Sequence, residues 1–160
     1  LYALSENGYE DAAYDLLLSE KMPSWLFPVT KGATTVWERW NGIDENGNLE
    51  NPDMNSFNHY AYGAVFSWVI EYALGIKTTE SGAGYKEIII NPHPNENLNE
   101  LKAVLKTPQG EIKVCFKTEN GKTNYDIEVP PSSTATVILK GKSPVKLGGE
   151  SGKTTLKITV

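Results

Sequence analysis

One cysteine, Cys115, stands among 160 residues, which excludes an internal disulfide and any metal site built on cysteine. No run of about 18 apolar residues occurs, so no membrane-spanning helix is expected. Basic residues are outnumbered, 15 against 20 acidic ones, for a net charge of −5. Phosphate backbones need a basic face, so a nucleic-acid partner is not expected either. A phosphate-cradling glycine motif, a serine-nucleophile elbow and zinc-ligand spacing are all missing, and no cofactor or metal is called for. The chain opens Leu1-Tyr2-Ala3-Leu4 without an initiator methionine or a charged-then-apolar leader. It reads as a piece of something longer, and its compartment is not legible.

What is present is distributed unevenly. Residues 1–75 carry 11 acidic against 3 basic residues, and residues 76–160 carry 9 acidic against 12 basic ones, all lysine. Thirteen of the 16 aromatics, including all four tryptophans, lie in the first part. A boundary near residue 76 follows, giving a domain over 1–76 and another over 77–160.

The first part reads as helical. Tyr9, Ala12, Ala13, Leu16 and Leu17 make an amphipathic stripe on a helix from about Gly8 to Glu20, which Pro23 stops. A second helix is predicted from about Ser56 to Leu74, capped by Asn55 or Ser56 and terminated by Gly75. It is apolar nearly all round, so it should be buried on most sides in a larger helical body, whose other helices these residues do not supply.

The second part reads as six short strands over 85–90, 101–107, 110–118, 124–130, 133–140 and 154–160. Turn signals at Pro108-Gln109-Gly110, Asn120-Gly121-Lys122, Pro130-Pro131 and Gly148-Gly149 separate several of them. An antiparallel β-sandwich is predicted, with lysines toward solvent. The fold class is therefore α+β in two parts, helical and then sandwich.

Two stretches carry candidate chemistry. In the run Trp37-Glu38-Arg39-Trp40 a carboxylate sits between indoles, in a partly apolar wall of the kind that suits a general base. Tryptophan faces also stack on the C–H faces of sugar rings. Against this, Glu38 could simply pair with a cation among core tryptophans. His59, in Asn58-His59-Tyr60, is placed at the start of the second helix, where a neutral imidazole could hydrogen-bond a hydroxyl. A structural role serves equally well. His93, between two prolines, is expected to be exposed. Residues 44–53 are rich in oxygen ligands, but their glycine falls two positions early for a calcium loop, so no metal is expected there.

The blocks from Lys31 to Gly42 (KGATTVWERWNG) and from Met54 to Val65 (MNSFNHYAYGAV) resemble the signature of bacterial α-L-rhamnosidases, glycoside hydrolases of the inverting type. GYEDAAYDLLLSEKMPSWLF before them, and GYKEIIINPHP, LKTPQGEIKV and IEVPPSSTATVIL after them, resemble that family in the same order. The resemblance implies the last helices of an (α/α)6 catalytic barrel over 1–76, followed by the family's C-terminal β-sandwich over 77–160. It implies that Glu38 is the general base and that His59 contacts the sugar, with Trp37 and Trp40 near it or buttressing Glu38. The implied partners are a rhamnose-containing glycoside and the upstream barrel of the same polypeptide. The family's proton donor belongs to an earlier acidic block that nothing here matches, so these residues alone should be inactive. Two other readings stay open: a non-catalytic carbohydrate-binding or structural sandwich, and a helical-barrel hydrolase for another sugar.

Overall fold

The computed structural model describes residues 1–53 and 56–160. Asn55, one of the two expected helix caps, lies outside the described residues. The chain divides into two compact units, Leu1–Trp68 and Val69–Val160.

The first unit opens with three short helices, α1 (Tyr2–Glu6), α2 (Glu10–Leu18) and α3 (Leu26–Thr30). Glu10 and Asp11 place negative charge at the start of α2, where the helix dipole favours it. The stripe expected on this helix is displaced. Ala13 and Tyr14 are buried, whereas Ala12 is exposed and Tyr9 is 64% exposed. The large Tyr14 ring draws the buried face round, packing edge-on to Trp68 with centroids 5.0 Å apart. Trp68 Nε1 donates to the buried Ser5 hydroxyl at 2.9 Å. Pro23 is not what ends α2, because Ser19 is already extended (ψ 131°) and its hydroxyl accepts from the Lys21 amide.

The long second helix does not form as predicted. Ser56 to His59 are not helical, a 3₁₀ turn covers Tyr60–Ala64, and α4 is one turn, Val65–Trp68. The reason is a competing set of backbone partners. The His59 amide donates to the Val36 carbonyl at 2.8 Å and the Glu38 amide to the Ser56 carbonyl at 2.9 Å. Those groups cannot also close helical turns. The Ser56 hydroxyl accepts from the Asn58 amide, a local turn rather than a helix cap. Tyr60 is 90% and Phe66 70% exposed in this chain, which does not supply the helices expected to cover them.

The second unit opens with a π-helical turn, Val69–Ala73. Eight strands follow: β1 (Ile76–Thr78), β2 (Glu87–Ile90), β3 (Glu100–Thr107), β4 (Gly110–Glu119), β5 (Lys122–Glu128), β6 (Thr134–Val137), β7 (Val145–Gly148) and β8 (Thr155–Thr159). They form two four-stranded sheets, ordered β1-β2-β6-β7 and β3-β4-β5-β8. β1 and β7 were not predicted, being three and four residues long with too little alternation to read. The pairings are antiparallel except for β2 with β6, which run parallel from Glu87↔Thr134 to Ile90↔Val137.

One core joins the sheets. Ile76, Ile88, Ile90, Val137 and Leu147 from the first sheet cluster with Ile112, Val114, Phe116, Tyr125 and Ile127 from the second. Each fully buried aliphatic or phenyl side chain contributes about 1.5–3 kcal/mol. Along β4 the neighbours Lys113, Cys115 and Lys117 turn outward, as strand geometry requires. Lys113 pairs with Glu128 at 3.1 Å and Lys157 with Asp126 at 3.0 Å, both directly across the ladder. Asn120 and Gly121, at φ 51° and 73°, close the β4–β5 hairpin as a two-residue turn. His93 is half-buried rather than exposed, its ring stacked on Tyr72 at 4.3 Å. Among the described residues no helix is long and apolar enough to cross a membrane.

Candidate active site

Glu38 and His59 lie 21 positions apart in the chain, in segments that run side by side. Besides the backbone bonds from His59 to Val36 and from Glu38 to Ser56, the Thr35 hydroxyl donates to the Phe57 carbonyl. The same pairing reaches the carboxylate itself, since Glu38 Oε2 accepts from the Ser56 amide at 3.1 Å. Glu38 is half-buried, as is His59. The predicted base and the predicted sugar-contacting histidine therefore stand on adjoining segments.

The two tryptophans beside Glu38 in sequence part company in space. Trp37 is buried, 6% exposed, and meets Phe57 edge-on at 5.1 Å. Trp40 stacks on Tyr62 with centroids 4.9 Å apart and 13° between planes, and Trp25 meets it edge-on at 5.1 Å. Trp25 is held in turn by its indole N–H, which donates to the Tyr62 carbonyl at 2.9 Å. Trp40 Nε1 is buried and has no hydrogen-bond partner among the described residues. Aromatic pairs of these geometries contribute about 0.5–1.5 kcal/mol beyond their burial. Both indoles thus serve as fixed walls beside the Glu38 segment.

His59 precedes a 3₁₀ turn of five residues, itself in extended conformation at φ −132° and ψ 113°. It does not cap a long α-helix, and its ring lies parallel to that of Tyr60 at 6.2 Å. Asp44, in the oxygen-rich loop, is occupied by the loop itself. Its carboxylate accepts from the Asn48 and Asn46 amides, both at 2.8 Å, and from the Asn48 side chain at 3.3 Å. The Asn48 amide above all holds the Asp44 carboxyl below its ordinary range. Among the described residues no group of three His, Cys, Asp or Glu could hold a metal.

Three participants were not predicted as site residues. Trp25 and Tyr62 were legible only as aromatics, because ring contacts between residues 25, 40 and 62 have no signal in local spacing. The Ser56 amide has none at all, since every residue but proline carries one.

Residues 1–73 match the bacterial alpha-L-rhamnosidase 6 hairpin glycosidase domain, and residues 75–154 the bacterial alpha-L-rhamnosidase C-terminal domain. An alpha-L-rhamnosidase of Streptomyces avermitilis is 37% identical over 144 residues, spanning 90% of this chain and 14% of that protein. One from Formosa agariphila is 41% identical over 134 residues, spanning 84% and 14%. The chain thus covers about a seventh of the length of these curated relatives. Among solved structures, the S. avermitilis alpha-L-rhamnosidase complexed with L-rhamnose superposes with a TM-score of 0.85 at 31% identity, covering 98% of this chain and 16% of that one. The Aspergillus terreus enzyme gives 0.89 at 34% identity, covering 99% and 18%.

Proposed function

The chain belongs to the bacterial α-L-rhamnosidase family, and from that membership we propose that it forms the C-terminal region of a hydrolase removing terminal α-L-rhamnose with inversion. Residues 1–76 are the last part of its helical catalytic barrel and residues 77–160 its C-terminal sandwich. Glu38 is the general base. The observation that carries this role is the backbone pairing that sets the Glu38 carboxylate on Ser56, next to the segment holding His59.

In the reaction, a water molecule gives a proton to Glu38 as its oxygen bonds to the anomeric carbon. The glycosidic C–O bond breaks on the opposite face, and the leaving oxygen takes a proton from a carboxylic acid. Inverting enzymes keep these two carboxyls about 6.5–9.5 Å apart to admit the water. The acid lies outside these 160 residues, in the upstream barrel. His59 hydrogen-bonds the sugar. Trp37 buttresses Glu38, and Trp40 stands near the sugar. The glycoside and the upstream barrel are the partners.

The sandwich serves the barrel structurally rather than by holding sugar. Its aromatics Phe116 and Tyr125 are buried, and Tyr85 is packed against the core. No exposed aromatic platform exists among its described residues.

The test is turnover of an aryl α-L-rhamnoside by the full-length polypeptide and by its Glu38→Gln variant, with thermal melts of both. A folded variant should lose about three orders of magnitude or more, about 4 kcal/mol of barrier. The 160-residue chain alone should show no turnover. A folded variant retaining most of its activity would remove Glu38 from the chemistry, and activity on a different glycoside would change the sugar.

A further inference from the structure

We infer that the backbone amide of Ser56 positions the base, by holding one oxygen of the Glu38 carboxylate so that only the other faces water. This rests on the reading of Glu38 as the base. A free glutamate has three rotatable side-chain bonds and two equivalent oxygens, so without a clamp the proton acceptor would be spread over many positions. Here the residue is gripped at both ends by one partner. The Glu38 amide donates to the Ser56 carbonyl at 2.9 Å, and the Ser56 amide donates back to Glu38 Oε2 at 3.1 Å.

The two bonds enclose the side chain in a ring whose closure fixes its torsions. A hydrogen bond to an ionised carboxylate is stronger than one between neutral groups. The amide takes up one lone pair of Oε2, which leaves Oε1 the less encumbered oxygen to accept the proton. The Val36–His59 bond beside the ring holds the two segments in register, so the clamp also fixes where the base stands relative to His59. Ser56 is accordingly a positioning residue, and it acts through its main chain. Its hydroxyl is turned to the Asn58 amide instead.

The test separates main chain from side chain in the full-length polypeptide, with an aryl α-L-rhamnoside as substrate. Ser56→Ala keeps the amide and should keep kcat within about threefold. Replacing residue 56 by its α-hydroxy analogue turns that amide into an ester, deleting the donor with little change of shape. The expected result is a fall in kcat of about 10- to 100-fold with KM nearly unchanged. Ser56→Pro, which also lacks the N–H, should lose at least as much; the ester decides if the proline variant does not fold. An ester variant with wild-type kcat, while Glu38→Gln is inactive, would overturn the clamp and leave the base in place. A folded, active Glu38→Gln would overturn both. Loss of kcat in Ser56→Ala equal to that in the ester would assign the effect to the hydroxyl and sink the inference.

Discussion

Replacing Gly75 by alanine should damage the sandwich far more than the same change at Gly121, another left-handed glycine. Gly75 holds φ at +70°. A Cβ there would lie 2.0 Å from the Asn91 carbonyl oxygen, 2.1 Å from its carbon and 2.6 Å from the Pro92 nitrogen. All three are backbone atoms, and the Asn91 amide is bonded back to the Gly75 carbonyl at 3.0 Å. The β1–β2 ladder continues directly from that bond with Ile76↔Ile90, both fully buried. Neither strand can retreat without opening the core edge. The left-handed conformation costs a residue with a Cβ about 1–2 kcal/mol, and forcing an atom into filled space adds about 1–3 kcal/mol. Gly75→Ala should therefore cost about 2–5 kcal/mol, a large share of the roughly 5–15 kcal/mol that a domain has. Gly121 is the control, at φ +73° with nothing within 4 Å of its Cβ position, so Gly121→Ala carries only the conformational cost. Denaturant unfolding of both variants should be followed by far-ultraviolet circular dichroism, because all four tryptophans lie in the first unit and would report on that instead. Equal losses in the two variants would refute the close approach.

Two further outcomes test the sandwich. Phe116→Ala removes a fully buried ring and should cost about 3–5 kcal/mol, whereas Lys117→Ala, next in sequence but facing outward, should stay within about 0.5 kcal/mol; similar effects would contradict the assigned faces of β4. Hydroxyls of Ser81 and Thr79, at 2.7 and 2.9 Å, hold the Glu87 carboxyl below its ordinary value of 4.5. Because the folded value is the lower one, the stability this supplies is present above about pH 4.5 and is lost as the pH falls through the folded value. Stability measured between about pH 6 and pH 3 should fall less in Glu87→Gln than in the parent chain, and an identical fall would show that Glu87 is not linked to folding.

The strands were most legible where alternation ran for five residues or more, as in Ile112-Lys113-Val114-Cys115-Phe116, because one face is buried and the other wet; β2 and β6, four residues each, were caught inside longer runs over 85–90 and 133–140. β1 and β7 were too short for that signal. The parallel pairing of β2 with β6 joins segments 47 positions apart, which no local pattern encodes. The helix predicted from Ser56 failed at its start for a related reason. Its apolar residues suit a helix, but the Ser56 carbonyl and the His59 amide are paired across the chain with Glu38 and Val36. Helical preference is a weak term beside such pairing.

The types of the chemical groups were likewise in the sequence: a carboxylate and a histidine in two recognisable blocks, and aromatics enough to wall them. Their arrangement was not. That Trp37 turns to Phe57 while Trp40 turns to Tyr62, and that Glu38 rests on an amide 18 positions later, are decisions of the tertiary structure. Sequence by itself determines which groups exist and how the chain prefers to bend locally, because those properties belong to single residues and their near neighbours. Which oxygen is held, and by which donor, depends on contacts between distant segments, and only the folded chain brings those segments within hydrogen-bonding reach.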